Sequence, residues 1–156
     1  MIYAVLKLLH VLAIVFWVGG MAFAHLCLRP SVTMLEPPER LRLLHAVMKR
    51  FFRGVLVAAL LALATGLWMI GRVAKESVQA GLNFAMPLDW TVMATLGIVM
   101  IAIFGHIRFA LFKRMSRAVA ASDWPAAGAA MASIRLWVLV NLVIGVLVIA
   151  IALLMS

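Results

Sequence analysis

The chain has 156 residues, of which 67% are hydrophobic and only 12% charged, with a formal net charge of +9. A mean hydropathy of +1.18 excludes an ordinary soluble domain, in which roughly a quarter of the residues are charged. The composition is that of a single integral membrane domain over residues 1–156, with almost nothing left for a soluble module.

Four apolar segments long enough to cross a bilayer follow in chain order, at about 2–28, 54–70, 88–107 and 136–155. They predict an all-α fold, a four-helix transmembrane bundle with antiparallel up-down topology. Within the first, Ala22-Phe23-Ala24 imitates a signal-peptide cleavage site, but the basic residues follow the apolar stretch instead of preceding it, so an uncleaved span is expected. Arg29-Pro30 ends the run, and Glu36-Pro37-Pro38-Glu39 interrupts any helix before the next. Cys27, the chain's one cysteine, is expected to be a reduced apolar filler.

From Arg40, the residues Leu41, Leu44, Met48 and Phe52 recur at helical spacing among Arg40, Arg42, Lys49, Arg50 and Arg53, a basic amphipathic stretch anchored on anionic lipid. His45 in this stretch is expected to be solvated or at the lipid surface. The second span is built on Ala58, Ala59, Ala62, Ala64, Thr65 and Gly66, small residues that let helices approach closely. Residues 75–87, with Gly81, Asn83 and Pro87, read as a loop flanked by the interfacial anchors Trp68 and Trp90. The third helix is predicted to run past the membrane through Arg117, and Ser122-Asp123-Trp124-Pro125 signals a new helix start.

Eleven of the fourteen basic residues fall in the two connections on the side away from the termini. The positive-inside rule then places those connections in the cytoplasm and both termini in the periplasm. This distribution accounts for the net charge without a nucleic-acid partner; the partner it implies is the lipid bilayer.

The polar groups inside the spans carry the functional information, because ionisable residues there are costly. His10 and His25 lie on the first helix, about 60° apart around it and about 22 Å apart along it. His25 stands four residues before Arg29 and His106 two before Arg108, so both should lie within about 6 Å of the cytoplasmic boundary. Asn141, six residues after Arg135, lies about 9 Å in. On the third helix Thr95, Val99, Ala102 and His106 share a stripe whose small residues leave space beside the histidine. A haem between helices requires an axial ligand from each side at matched height, which His25 and His106 would satisfy, with Asn141 nearby. His10 lies in the outer half with no histidine at its level; Met69, Met86 and Met93 are the thioethers there, and imidazole with thioether, as in His10 with Met93, suits copper(I) or a haem iron. No acidic residue lies within a span, so a carboxylate proton relay is not expected, and the residues assign no catalytic role.

Lys7-Leu-Leu-His10, Trp17-Val-Gly19-Gly20, Leu28-Arg29-Pro30, Arg50-Phe-Phe-Arg53, Ala64-Thr65-Gly66-Leu67, Trp90 and Gly105-His106-Ile107-Arg108 together resemble the CopD family. These are bacterial inner-membrane proteins associated with copper uptake or tolerance, and this chain is similar to their short, four-helix members. The first helix is also similar to HemJ, a haem-containing membrane protein implicated in protoporphyrinogen oxidation, through Lys7, His10, Trp17 and Gly20. It departs from HemJ at Ala94, where HemJ carries a lysine, and at His25-Leu26, where HemJ has proline-arginine. The first resemblance implies a copper-binding protein using His10 and Met93 on the outer side and His25 and His106 nearer the cytoplasm, with a periplasmic copper protein as partner. The second implies a b-type haem protein linked to quinone or a porphyrinogen. A third expectation is an accessory subunit whose histidines only join helices.

Overall fold

The computed structural model describes residues 1–154 and shows four long helical rods, with no strand among the described residues. They are α1 (Ile2–Met34), α2 (Pro37–Gln79), α3 (Leu88–Ala120) and α4 (Trp124–Leu154), each long and apolar enough to cross a membrane. The last residue assigned to the fourth span, Met155, lies outside the described residues.

Each rod is longer than its apolar segment. α2 begins at Pro37, where the missing N–H costs nothing, and runs unbroken through the basic amphipathic stretch and the span. It absorbs the first residues of the predicted outer loop and stops at Gly81, whose φ of +72° supports a closing turn in which Leu82 N–H donates to Ser77 O at 3.0 Å. α3 ends in the same way at Ser122, with φ 54°, where Asp123 N–H donates to Ala118 O at 2.9 Å. Asp123 then caps α4 by accepting from Ala126 N–H at 3.0 Å.

Two rods contain a widened π turn. In α1 it covers Ala24–Leu28 and closes with Arg29 N–H donating to Ala24 O, immediately before Pro30, which has no N–H to continue the ladder. The helix therefore passes Arg29-Pro30, where the sequence predicts its end, and finishes at Met34. In α3 it covers Ile107–Leu111, closed by Phe112 N–H on Ile107 O.

The core is concentrated toward the end with the basic connections. Trp17, Val18 and Met21 of α1 meet Leu44, Met48, Phe52 and Val55 of α2, Met100, Phe104, Ile107, Phe112 and Met115 of α3, and Ala127, Ile134 and Val138 of α4. Toward the other end there is a small separate cluster of Ala13, Ala58 and Ala62. Edge-on rings thread the main core: Trp17 on Phe104 at 5.8 Å, Phe104 on Phe52 at 6.0 Å and Phe52 on Phe112 at 5.3 Å. α1 and α2 interlock through reciprocal notches, Phe51 lying over Gly20 and Phe16 over Gly54, where a Cβ on either glycine would overlap the ring. Hydrophobic exposure on the outer faces is what lipid solvation requires, since apolar side chains there have hydrocarbon as solvent.

Candidate functional site

Thr65 is the one polar side chain among the buried residues of α2, and it is where His10 of α1 docks. His10 Nδ1 lies 2.9 Å from Thr65 Oγ1. The same hydroxyl lies 2.6 Å from Leu61 O and 3.2 Å from Ala62 O on its own helix. A threonine has one hydroxyl proton, and a carbonyl can only accept, so that proton goes to the helix backbone. The Thr65 oxygen is then the acceptor for the imidazole: Nδ1–H donates, and His10 Nε2 keeps its lone pair. Gly66 leaves room for the ring to approach α2; a Cβ there would stand 3.3 Å from His10 Cε1. The half-buried ring is thus held in one tautomer and one orientation, which is how imidazoles are prepared for a metal ion. Met93 is half-buried on α3, and no hydrogen bond joins it to His10 among the described residues.

A second histidine makes the same kind of junction outside the spans. His45 Nε2 lies 2.9 Å from Ser116 Oγ, and Ser116 Oγ donates to Phe112 O at 2.9 Å, so His45 Nε2–H is the donor. The ring also stacks on Phe112, with centroids 5.1 Å apart and planes 12° apart. Sequence reading expected a solvated or lipid-surface His45; it is half-buried instead, because α2 and α3 both extend beyond their most apolar segments and pack on each other there. Burial pushes its pKa below the ordinary imidazole value, and the charge of Lys49 pushes the same way.

Asn141 is 1% exposed and reaches across to α3, its Nδ2 donating to Met100 O at 3.3 Å. Its Oδ1 is buried with no hydrogen-bond partner among the described residues. It borders a void of about 10 Å³, lined also by Trp17, Met21 and Phe104, a volume near the lower limit for one water molecule.

The inner histidines stand differently from the sequence expectation. His106 is exposed, and its ring meets Trp137 of α4 edge-on at 5.4 Å. Thr95, Val99 and Ala102 are exposed with it, so the small-residue stripe faces outward, and the buried side of this part of α3 is Met100 and Phe104. His25 is half-buried within the π turn of α1. An outward-facing stripe provides no interior slot for a macrocycle, so these residues do not fit a haem cradle. Cys27 is exposed and fills no core space; its carbonyl accepts from Ser31 Oγ at 2.8 Å.

Sequence reasoning passed over Ser116 and treated Thr65 as a small residue and as part of a family motif, without weighing its hydroxyl. A lone hydroxyl within an apolar or amphipathic helical face was the available signal for both, because buried hydroxyls in helices pair with a carbonyl one turn back and leave their oxygen as an acceptor.

Comparison with curated proteins and with solved structures gives no match. A family model does match, described as copper resistance protein D, over residues 45–155, more than two-thirds of the chain. The matched stretch contains Arg50-Phe-Phe-Arg53, Ala64-Thr65-Gly66-Leu67 and Gly105-His106-Ile107-Arg108, while the whole of α1, with His10, precedes it. With four apolar helices of membrane-spanning length, this chain belongs to the CopD family and is a copper-related, multi-pass protein of the bacterial inner membrane.

Proposed function

We propose that the protein handles copper as cargo at the inner membrane, and that Nε2 of His10 is a ligand that receives it. The observation that carries this reading is the hydroxyl geometry: Thr65 donates to Leu61 O at 2.6 Å and accepts from His10 Nδ1 at 2.9 Å, leaving the second ring nitrogen basic. An imidazole with a thioether is a donor set for copper(I), and in this reading the thioether is that of Met93.

The reading includes an orientation. Contacts between α1 and α2 pair rising with falling numbers, His10 with Thr65, Phe16 with Gly54 and Gly20 with Phe51. α3 and α4 do the same through Met100 with Asn141 and His106 with Trp137. These pairings support an antiparallel up-down bundle. The basic residues of the two connections then face the cytoplasm, the termini face the periplasm, and His10 lies in the periplasmic half.

The test is a copper(I) titration of the full chain in mild detergent against a chromophoric chelator. One copper(I) per chain is expected, with affinity falling about 100-fold in His10→Ala and unchanged in His45→Ala. Equal affinity in wild type and His10→Ala, or no uptake by the wild type, would overturn the reading.

A further inference from the structure

The π turn of α3 rearranges charge at the basic end of the bundle. In an unbroken α-helix, residues five apart point about 140° away from each other. A π turn, with its i to i+5 bonds, takes up one extra residue and brings positions five apart toward one side. Arg108 and Lys113 are such a pair, and the turn spans Ile107–Leu111. The two line one open cleft of about 410 Å³ with Phe109, Phe112 and Ser116.

The chemistry of the cleft is specific. The Arg108 guanidinium lies over the rings of Phe112 and Phe109, with centroids 5.5 and 5.7 Å away, an arrangement that orients the group while leaving its N–H edge free to donate. Neither cation is neutralised: among the described residues the only ion pair is Arg72 with Glu76, at the far end of α2. The floor is rigid, because Phe112 is buried between Phe52 and the stacked His45, which also holds Ser116. Phe109 is 62% exposed, so a large apolar ring stands at the lip, just past the apolar segment 88–107 read from the sequence.

We infer that this cleft seats the phosphodiester headgroup of an anionic phospholipid, with Arg108 and Lys113 on the phosphate and Phe109 against the first carbons of an acyl chain. Free phosphate satisfies the cations but gains nothing from Phe109. A zwitterionic lipid offers the acyl chain but carries a choline cation toward Lys113. An anionic phospholipid is complementary to both parts. This inference does not depend on copper binding.

The experiment is native mass spectrometry of the full chain, delipidated in detergent and offered phosphatidylglycerol, phosphatidylcholine or inorganic phosphate. Wild type is expected to retain phosphatidylglycerol over phosphatidylcholine by about tenfold or more. Arg108→Gln with Lys113→Gln abolishes that preference, whereas Arg29→Gln with Arg135→Gln, an equal loss of charge at two exposed positions outside the cleft, preserves it. Phe109→Ser weakens phosphatidylglycerol retention. The proposal is overturned if both double variants lose the preference equally, if wild type shows none, or if phosphate is retained as well as the lipid and Phe109→Ser changes nothing. Should the cleft variant fail to fold, a phosphatidylglycerol with a photoreactive group beside the phosphate decides the matter on wild type: adducts within residues 108–116 sustain the assignment, and adducts confined elsewhere refute it.

Discussion

His10 with Thr65 and His45 with Ser116 are the same junction built in two places. In each, a helix hydroxyl gives its proton to a carbonyl one turn back and accepts from an imidazole on a neighbouring helix. The difference lies in which nitrogen is used and what surrounds the ring. His45 is stacked on Phe112 at the edge of a dense aromatic core, so its ring closes the packing between α2 and α3. His10 bonds through the other nitrogen and lies against Gly66, near a cluster of three alanines. Each bond joins two helices and leaves the other ring nitrogen its lone pair; at His45 the ring is closed in by stacking, and at His10 it lies against a glycine. Residue type and hydrogen-bond pattern are the same in both; packing around the ring is what differs, and the copper role proposed for His10 is set against that difference.

That contrast can be broken most forcefully at the aromatic end. Phe112 is buried, stacked by His45 and met edge-on by Phe52, so Phe112→Ala should cost about 3–5 kcal/mol of stability, read by denaturant or thermal unfolding in detergent. Copper affinity should not change. A comparable loss of copper binding would mean that the two ends are coupled and that the contrast is wrong.

The paired hydroxyl variants sharpen it at smaller amplitude. Thr65→Val keeps the shape but frees the imidazole to change tautomer, and should lower copper(I) affinity about tenfold while changing stability by about 1 kcal/mol. Ser116→Ala should cost a similar stability and leave copper affinity unchanged. Copper titrations and melting curves on both variants test the assignment, and an equal copper effect from the two would remove the distinction.

The smallest effect is the pH dependence of the His45 junction. Its pKa in the folded protein lies below the ordinary imidazole value of about 6.5, through burial first and Lys49 second. The undocked ring therefore takes up a proton more readily than the docked one, and stability falls as pH drops from that ordinary value through the folded one. Above it the neutral ring contributes in full. The thermal midpoint should fall modestly on acidification, and His45→Phe should remove that component; an unchanged pH profile in His45→Phe would show that the ring's titration is not felt.

Much of the architecture was legible because it depends on sums over many residues. Four runs of apolar side chains mark four helices, since backbone groups in hydrocarbon must be bonded within their own segment. The helix start after Asp123 follows from local chemistry, and so does the continuation of α3 through Arg117; the start at Pro37 was not expected, since Glu36-Pro37-Pro38-Glu39 reads as an interruption before a pattern that begins at Arg40. The site was less legible, because it depends on helix rotation. His106 was expected to face the interior and lies outside against Trp137; His45 was expected in solvent or at the lipid surface and lies half-buried, stacked on Phe112. Four rods that are apolar nearly all round have little to fix their rotation, as the alternation of polar and apolar faces that orients a soluble helix is missing.

The sequence by itself determined the membrane class, the number of helices, the crowding of positive charge in two connections and the presence of costly polar groups within the spans. These follow from composition and from short-range bonding that each segment satisfies alone. Only the tertiary structure decided that Thr65 meets His10, that Asn141 Oδ1 is buried with no hydrogen-bond partner among the described residues, and that a π turn brings Arg108 and Lys113 to one cleft. The reason is physical: in lipid, helices are joined by close packing and a few interhelical polar bonds, and both are properties of pairs of surfaces, not of either surface alone.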